Sequence, residues 1–191
     1  MSSTLAGFGL VPIRHQSGQR PQQEALTDGI ASGTTANIFT FQPVKFNSSG
    51  QLQPAAAGDD FIGVFLGWEY TTNDGQRTLS PVYVSGTTYV AGSTQVYYTR
   101  DQQIIYAIQA DGSVAQTAIG GQANISNATS GNTNLGWSQC TMNATITGAS
   151  NTAQLRVLDL YPGVDNAWGD SYTVVEVQIA TQQYTANKAA I

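Results

Sequence analysis

Charged residues are scarce in this chain: they make up 10% of its 191 residues, against about a quarter in a typical soluble domain. The net charge is −5, and the cations are two lysines and five scattered arginines. Because binding to a phosphate backbone needs clustered cations, we expect no nucleic-acid partner. The same deficit argues against an anionic membrane surface, and no apolar run approaches the roughly 18 residues of a membrane span. We therefore expect no membrane partner either.

Cysteine and histidine occur once each, as Cys140 and His15. A single cysteine cannot form an internal disulfide, and Cys140 is most simply a small buried residue. A catalytic thiol would need a neighbouring base, but His15 is far away along the chain. One histidine also excludes a histidine-based metal cluster within one chain, although three copies around a symmetry axis could share a metal. We expect no metal and no cofactor.

Neutral polar residues take the place of the missing charges. Hydrophobic residues make up 41% of the chain and aromatic residues 9%, which indicates a packed core and not a disordered chain. A surface of Gly, Ser, Thr, Asn and Gln costs less to desolvate than a charged surface. Such a composition suits a protein that buries much of its exterior against neighbours.

The stretch from Asp60 to Pro81 is the clearest structural signal, and it predicts a strand, a tight turn and a second strand. Asn73-Asp74-Gly75 supplies residues that tolerate positive φ, so the chain can reverse there. The period of two before this turn predicts one face made of Ile62, Val64, Leu66, Trp68 and Tyr70. The apolar faces of the strands at 61–70 and 172–180 could each be core or subunit contact.

The remainder of the chain predicts an all-β fold in two parts. Many short strands with frequent turn signals and no helix-length periodic run indicate a sandwich, barrel or jelly roll. Glycine and proline punctuate residues 1–33 too often for a long helix, which predicts an extended N-terminal arm. The arm could lie along its own body or reach onto a partner. Residues 34–191 are predicted to form the jelly-roll or sandwich body.

No catalytic motif emerges from the residues. Asp59 and Asp60 are adjacent and would point to opposite sides of a strand or into a turn. The loop at 165–170 (DNAWGD) has oxygen ligands, but it lacks the ligand spacing and terminal Glu of a calcium loop. A turn held by Asx hydrogen bonds, with Trp168 buried, is favoured. A Gly-X-Ser-X-Gly elbow is also missing, so we expect no enzymatic activity.

Three segments carry a family resemblance. They are GFGLVPIRHQSG at the start, FIGVFLGWEYTTNDGQRTLSPVYVSGT followed by YYTRDQQIIYAIQADGS in the middle, and LRVLDLYPGVDNAWGDSYTVVEVQI near the end. Together they resemble a family of tailed-bacteriophage capsid decoration proteins, also called cement or head-stabilising proteins. The segments span nearly the whole chain in the expected order.

The resemblance implies a non-enzymatic structural protein of the virion. Proteins of this family form homotrimers on the outer surface of the head, where they bind the major capsid protein, after assembly in the host bacterial cytoplasm. The resemblance also implies a jelly-roll body and an arm that extends over neighbouring shell subunits. The expected capsid-binding residues are Phe8, Leu10, Val11, Ile13, Arg14 and His15. The expected subunit-interface residues are Trp68, Tyr70 and Trp168.

Two other classes of function remain open from the sequence. A virion-surface or tail-associated β-sandwich could recognise host carbohydrate through exposed aromatic residues, for which Trp68, Tyr70, Trp137 and Trp168 are the candidates. A hydrolase that uses Asp or Glu is the third class. Sugar-dependent quenching of Trp or Tyr fluorescence would identify the carbohydrate-binding protein. A pH-dependent activity abolished by one carboxylate substitution would identify the hydrolase.

Overall fold

The computed structural model describes residues 4–31, 33–148 and 152–184. The fold is nearly all β, with 39% strand and 2% helix, and contains several antiparallel sheets. The helical part is a short 3-10 turn at Gln116–Ala118. The prediction of an all-β, sandwich-like body is confirmed. None of the described segments forms a helix long and apolar enough to cross a membrane.

Seventeen strands lie within the described ranges. They are β1 (Val11–His15), β2 (Glu24–Thr27), β3 (Ile38–Phe39), β4 (Pro43–Phe46), β5 (Leu52–Pro54), β6 (Gly63–Thr71), β7 (Arg77–Ser80), β8 (Val82–Tyr83), β9 (Gln95–Tyr98), β10 (Ile104–Gln109), β11 (Gln122–Ala123), β12 (Ile125–Ser126), β13 (Gly131–Asn132), β14 (Trp137–Ser138), β15 (Thr141–Met142), β16 (Leu155–Leu160) and β17 (Val174–Ile179).

Two larger sheets organise these strands. The first sheet has the order β1-β10-β17-β16-β11, and the second has the order β2-β9-β6-β4-β5, with β7 also paired to β6. Three two-stranded ladders, β3-β8, β12-β15 and β13-β14, complete the pairing. β1 and β11 are therefore the edge strands of the first sheet, and β7 borders the second.

Strand β6 lies between two hydrophobic cores. The first core is mainly aliphatic and joins the first sheet to Val64 of β6 and to Phe61, which lies just before β6. The second core lies on the opposite face of β6 and is rich in aromatic rings, including Phe65, Trp68 and Tyr83. Val175, Val177 and Ile179 of β17 are buried in the first core. In this chain the apolar faces at 61–70 and 172–180 are core.

The predicted hairpin is confirmed, but the predicted single face of its first strand is wrong. β6 and β7 pair antiparallel, and Gly75 in the turn has a φ of 81°. Val64 and Leu66 contact the first core, whereas Ile62, Trp68 and Tyr70 belong to the second. A register shift between Phe65 and Gly67 causes the change of face between Leu66 and Trp68, because one extra residue in a strand moves later side chains to the other face. Ile62 lies before the start of β6, so its place in the second core is not a consequence of this shift.

The described part of the N-terminal segment lies along its own body. β1 pairs with β10 and β2 pairs with β9, so the segment contributes an edge strand to each large sheet. Leu10, just before β1, is fully buried in the first core. Pairing of β1 satisfies backbone groups of β10 that would otherwise form an open sheet edge. Pro12 is compatible with β1 because an edge strand tolerates a missing N–H donor.

Candidate interaction surfaces

The predicted capsid-binding residues are partly incorporated into the first sheet. Leu10 is in the core, and Phe8, Val11, Ile13 and His15 are half-buried. Of the six, Arg14 alone is classed as exposed, and its guanidinium forms an ion pair with the nearly buried carboxylate of Glu176. His15 Nε2 lies 3.1 Å from Asp101 Oδ2. The outer edge of β1 and the half-exposed Arg14 side chain are accessible to a partner.

The predicted subunit-interface residues do not form one surface. Trp68 is 1% exposed, and its indole N–H donates to the carbonyl of Val82 over 2.9 Å. Tyr70 stacks on Trp68, with ring centroids 4.1 Å apart and an interplanar angle of 15°. Trp168 is half-buried against the first core, whereas Trp68 and Tyr70 belong to the second. The bulge in β6 explains the placement of Trp68, since it turns this ring into the second core.

The loop at 165–170 is a turn held by side-chain hydrogen bonds, as the sequence predicts, but Trp168 is half-buried and not buried. The amide of Asn166 donates to the carbonyls of Tyr161 and Val174 over 2.7 Å and 2.8 Å, and it accepts from the Val174 N–H over 2.9 Å. The Asp170 carboxylate accepts from the Ala167 N–H over 2.9 Å. No group of three or more His, Cys, Asp or Glu side chains comes together as a metal site within the described ranges.

Cys140 is a buried thiol in the first core. Burial raises the pKa of this thiol to about 12, because the apolar surroundings disfavour the thiolate. The thiolate is the nucleophilic form, so Cys140 is inert as a nucleophile at neutral pH. Its placement is that of the small buried residue expected from its sequence context.

Four exposed apolar residues lie on two adjoining segments of the surface, and together we call them the apolar ridge: Leu79, Pro81, Leu135 and Trp137. Leu79, Leu135 and Trp137 are 70%, 67% and 53% exposed, and Pro81 is also exposed. Pro81 and Gly136 are so close that a Cβ at Gly136 would lie 3.0 Å from Pro81 Cγ. This brings the segment with Leu79 and Pro81 next to the segment with Leu135 and Trp137.

The ridge is fixed to the body through Thr40 and Phe41. The Thr40 hydroxyl donates to the carbonyl of Pro81, and Thr40 forms an isolated parallel bridge with Trp137. The rings of Phe41 and Trp137 are tilted at 58°, with centroids 6.5 Å apart. The sequence indicates Trp137 only as a candidate for sugar binding, and it does not reveal the ridge because Leu79 and Pro81 are far from Leu135 and Trp137 along the chain.

A groove of about 560 Å³ runs beside the ridge, lined by residues that include Leu66, Leu79 and Pro81. Glu69 also lines it, and its carboxylate pairs with Arg77 and accepts from the Tyr97 hydroxyl over 3.0 Å. The hydrogen bond from Arg77 is the largest influence on Glu69 and holds its pKa below the usual value. With this charge matched inside the chain, the groove and ridge can receive apolar side chains of a partner.

A second concave surface, which we call the tyrosine cleft, lies on the far side of the second core. It has a volume of about 590 Å³ and is lined by residues that include Asp28, Tyr83, Thr88 and Tyr89. The loop after β2 forms one wall, and the loop between β8 and β9 forms the other. Aromatic rings of the second core support Tyr89 from behind.

Comparison with known proteins finds no match to this chain among protein-family models, curated proteins or solved structures. The function proposed below therefore depends on the surfaces just described and on the resemblance of the three sequence segments.

Proposed function

We propose that this chain is a non-enzymatic structural protein of a tailed-phage virion. In this role it is a homotrimeric cement protein that binds the outer surface of the head and clamps neighbouring major capsid subunits. The observation that carries the proposal is the apolar ridge, since a surface of this kind on a neutral polar body is typical of a protein-contact site. The three resembling segments supply the virion context, because they occur in the expected order between residues 7 and 179.

We assign the ridge to the contact between copies of the chain. Each copy carries a net charge of −5, so two copies repel at long range. A contact between them is most favourable where no unmatched charge is buried, because the centres of interfaces are depleted in charged residues and enriched in aromatic ones. The ridge has this composition, and the neighbouring Glu69 is already paired with Arg77.

The N-terminal segment is the proposed contact with the capsid. The outer edge of β1 and the half-exposed Arg14 side chain are accessible, and each trimer would present three of them. Several weak contacts made together give an avidity that one contact lacks. An interface of about 800 Å² per partner is a standard size for specific attachment. Such a clamp would hold the shell at junctions between capsid subunits.

The copy number of the chain in purified virions tests the proposed function. Quantitative mass spectrometry would compare this chain with the major shell protein. We expect a ratio near one to one, because a trimeric clamp at threefold and quasi-threefold positions tiles the head. A few copies per particle would contradict this and favour a tail or vertex protein that recognises host carbohydrate.

The oligomeric state of the full chain in solution tests the ridge assignment. Light scattering after size-exclusion chromatography is expected to give a species of three 20.2 kDa chains. The double variant Leu135→Ser/Trp137→Ser should be monomeric with an unchanged circular-dichroism spectrum. Val164→Ser is the matched control, since Val164 is fully exposed and lies outside the ridge, and it should remain trimeric. A trimeric ridge variant, or a monomeric native chain, would contradict the assignment.

A further inference from the structure

We propose that the tyrosine cleft binds a short neutral saccharide. This inference does not depend on the cement role, because it concerns a different surface from the ridge and from β1. It rests on a rigid aromatic wall, on a fixed carboxylate, and on the absence of Lys and Arg among the described residues that line the cleft.

The aromatic wall is held in place by the second core. The Tyr89 ring meets Trp68 edge to face, with centroids 5.6 Å apart at 80°, and Tyr70 at 6.4 Å and 65°. Tyr83 contacts Trp68 at 5.0 Å, and its hydroxyl donates to the Thr34 carbonyl over 3.3 Å. Rings fixed in this way lose little conformational entropy when a ligand packs on them. Tyr83 is 2% exposed and supports the wall from within, whereas the half-buried Tyr89 ring offers the flat apolar surface that the C–H face of a sugar ring needs.

The carboxylate of Asp28 is fixed at the same cleft. Its Oδ1 accepts from the Thr94 hydroxyl over 3.2 Å, and the Asp28 N–H donates to the Thr94 carbonyl over 2.9 Å. The backbone of Asp28 has a φ of 51°, a left-handed conformation that Asp and Asn tolerate better than most residues. Since a carboxylate has about four acceptor positions, Asp28 can still accept short, charge-assisted hydrogen bonds from sugar hydroxyls.

The remaining lining selects the ligand class. Asn73, Gln51, Thr87 and Thr88 contribute amides and hydroxyls, which both donate and accept and so match a ligand rich in hydroxyl groups. The Gln51 amide already donates to the Asp28 carbonyl over 3.3 Å and the Thr87 hydroxyl to the Val84 carbonyl over 2.7 Å. An anionic ligand would meet the Asp28 charge and no cation among the described lining residues, and an apolar ligand would displace water from the remaining donors and acceptors without replacing its hydrogen bonds. The volume of about 590 Å³ falls in the range of small-molecule sites, roughly 300–1,000 Å³. A neutral saccharide satisfies all of these conditions.

Calorimetric titration of the full native chain tests the inference with four probes: maltotriose, chitotriose and mannotriose as neutral saccharides, and sialyllactose as an acidic one. We expect millimolar or tighter binding of at least one neutral probe and none of sialyllactose. Asp28→Asn keeps a residue that tolerates the left-handed backbone and should weaken binding at least tenfold. Thr88→Trp should abolish binding by filling the cleft. The matched controls Asp60→Asn and Thr145→Trp change exposed residues elsewhere and should bind as the native chain does.

Three outcomes would overturn the proposal. One is that no neutral probe binds at millimolar concentration, and another is that sialyllactose binds best. The third is that Asp28→Asn and Thr88→Trp, checked for folding by circular dichroism, bind as well as the native chain; this would move the sugar site to a surface such as Trp137. A failure of the cement proposal, seen as low copy number or a monomeric chain, leaves each of these results interpretable.

Discussion

The N-terminal segment and the apolar ridge are both proposed contact surfaces, but the segment is largely packed into the fold whereas the ridge is exposed. The segment is incorporated into the fold: β1 pairs with β10, Leu10 is fully buried, and Arg14 is ion-paired with Glu176. The ridge is attached from beneath through Thr40 and Phe41, while its own side chains remain exposed.

This difference separates apolar area that is buried on folding from apolar area that is available for association with a partner. An apolar side chain that is already buried stabilises the fold, by about 25 cal/mol per Å² of buried area. It has little exposed area left for a partner to bury. An exposed apolar side chain keeps that energy for association. Loss of a residue near β1 should therefore reduce stability first, and loss of a ridge residue should reduce association first.

The largest expected effect contrasts Leu10→Ala with Leu135→Ala. Leu10→Ala leaves a cavity in the first core and should lower the free energy of unfolding by about 2–5 kcal/mol. Leu135→Ala, added to Trp137→Ser and compared with Trp137→Ser alone at a concentration where light scattering shows both to be monomeric, should change it by less than about 0.5 kcal/mol. Urea denaturation followed by circular dichroism measures both. Equal losses would show that the ridge is part of the folded core and would remove the contrast.

Because β1 is part of the first sheet, the capsid contact is best tested with point substitutions and not with a deletion. A deletion of residues 1–20 removes β1 and Leu10 together, so loss of capsid binding could reflect an unfolded first sheet. Point substitutions on the outer edge of β1 avoid this ambiguity, because they leave Leu10 in place.

An intermediate effect is expected for Arg14→Ala. The variant leaves the Glu176 carboxylate, which is nearly buried, without its cation, and an unsatisfied charged hydrogen bond costs about 1.5–3 kcal/mol. Arg20→Ala is the control, since Arg20 is exposed and a surface substitution typically changes stability by less than about 0.5 kcal/mol. Thermal unfolding of the two variants gives the comparison. If Arg14→Ala were as mild as its control, β1 would be held by backbone pairing and Leu10 alone.

Local patterns in the sequence predict the all-β class and the hairpin well. The period of two before Asn73 and the turn residues up to Gly75 depend on neighbouring positions only, and the structure contains the hairpin they predict. The face of β6 is predicted incorrectly because a bulge at Leu66 is set by its pairing with Tyr97 and Tyr98 of β9. No local signal at Leu66 reveals that pairing.

The surfaces are less accessible to sequence reasoning than the fold. Pro81 and Gly136 are in contact although more than fifty positions separate them in the chain. Leu79 and Leu135 are isolated apolar residues in polar runs, which individually need no explanation. The tyrosine cleft likewise requires Asp28 to meet the loop that carries Tyr89, a contact that only the tertiary fold creates.

The smallest expected effect concerns the ion pair beside the ridge, Glu69 with Arg77, which is the exposed counterpart of Arg14 with Glu176. Chiefly through the hydrogen bond from Arg77, the pKa of Glu69 lies below its usual value of 4.5. A carboxyl group whose folded pKa is lowered stabilises the fold above its unfolded pKa, and this stabilisation is lost as the pH falls through the folded pKa.

Glu69→Gln should therefore be slightly less stable than the native chain at pH 7, and the difference should vanish in acid. Salt should also reduce it, because exposed pairs are screened. Urea denaturation at pH 7 and pH 3, at low and high salt, measures the difference. If Glu69→Gln lost as much free energy of unfolding as Arg14→Ala, the ridge side of the molecule would depend on its charges as much as the N-terminal side does.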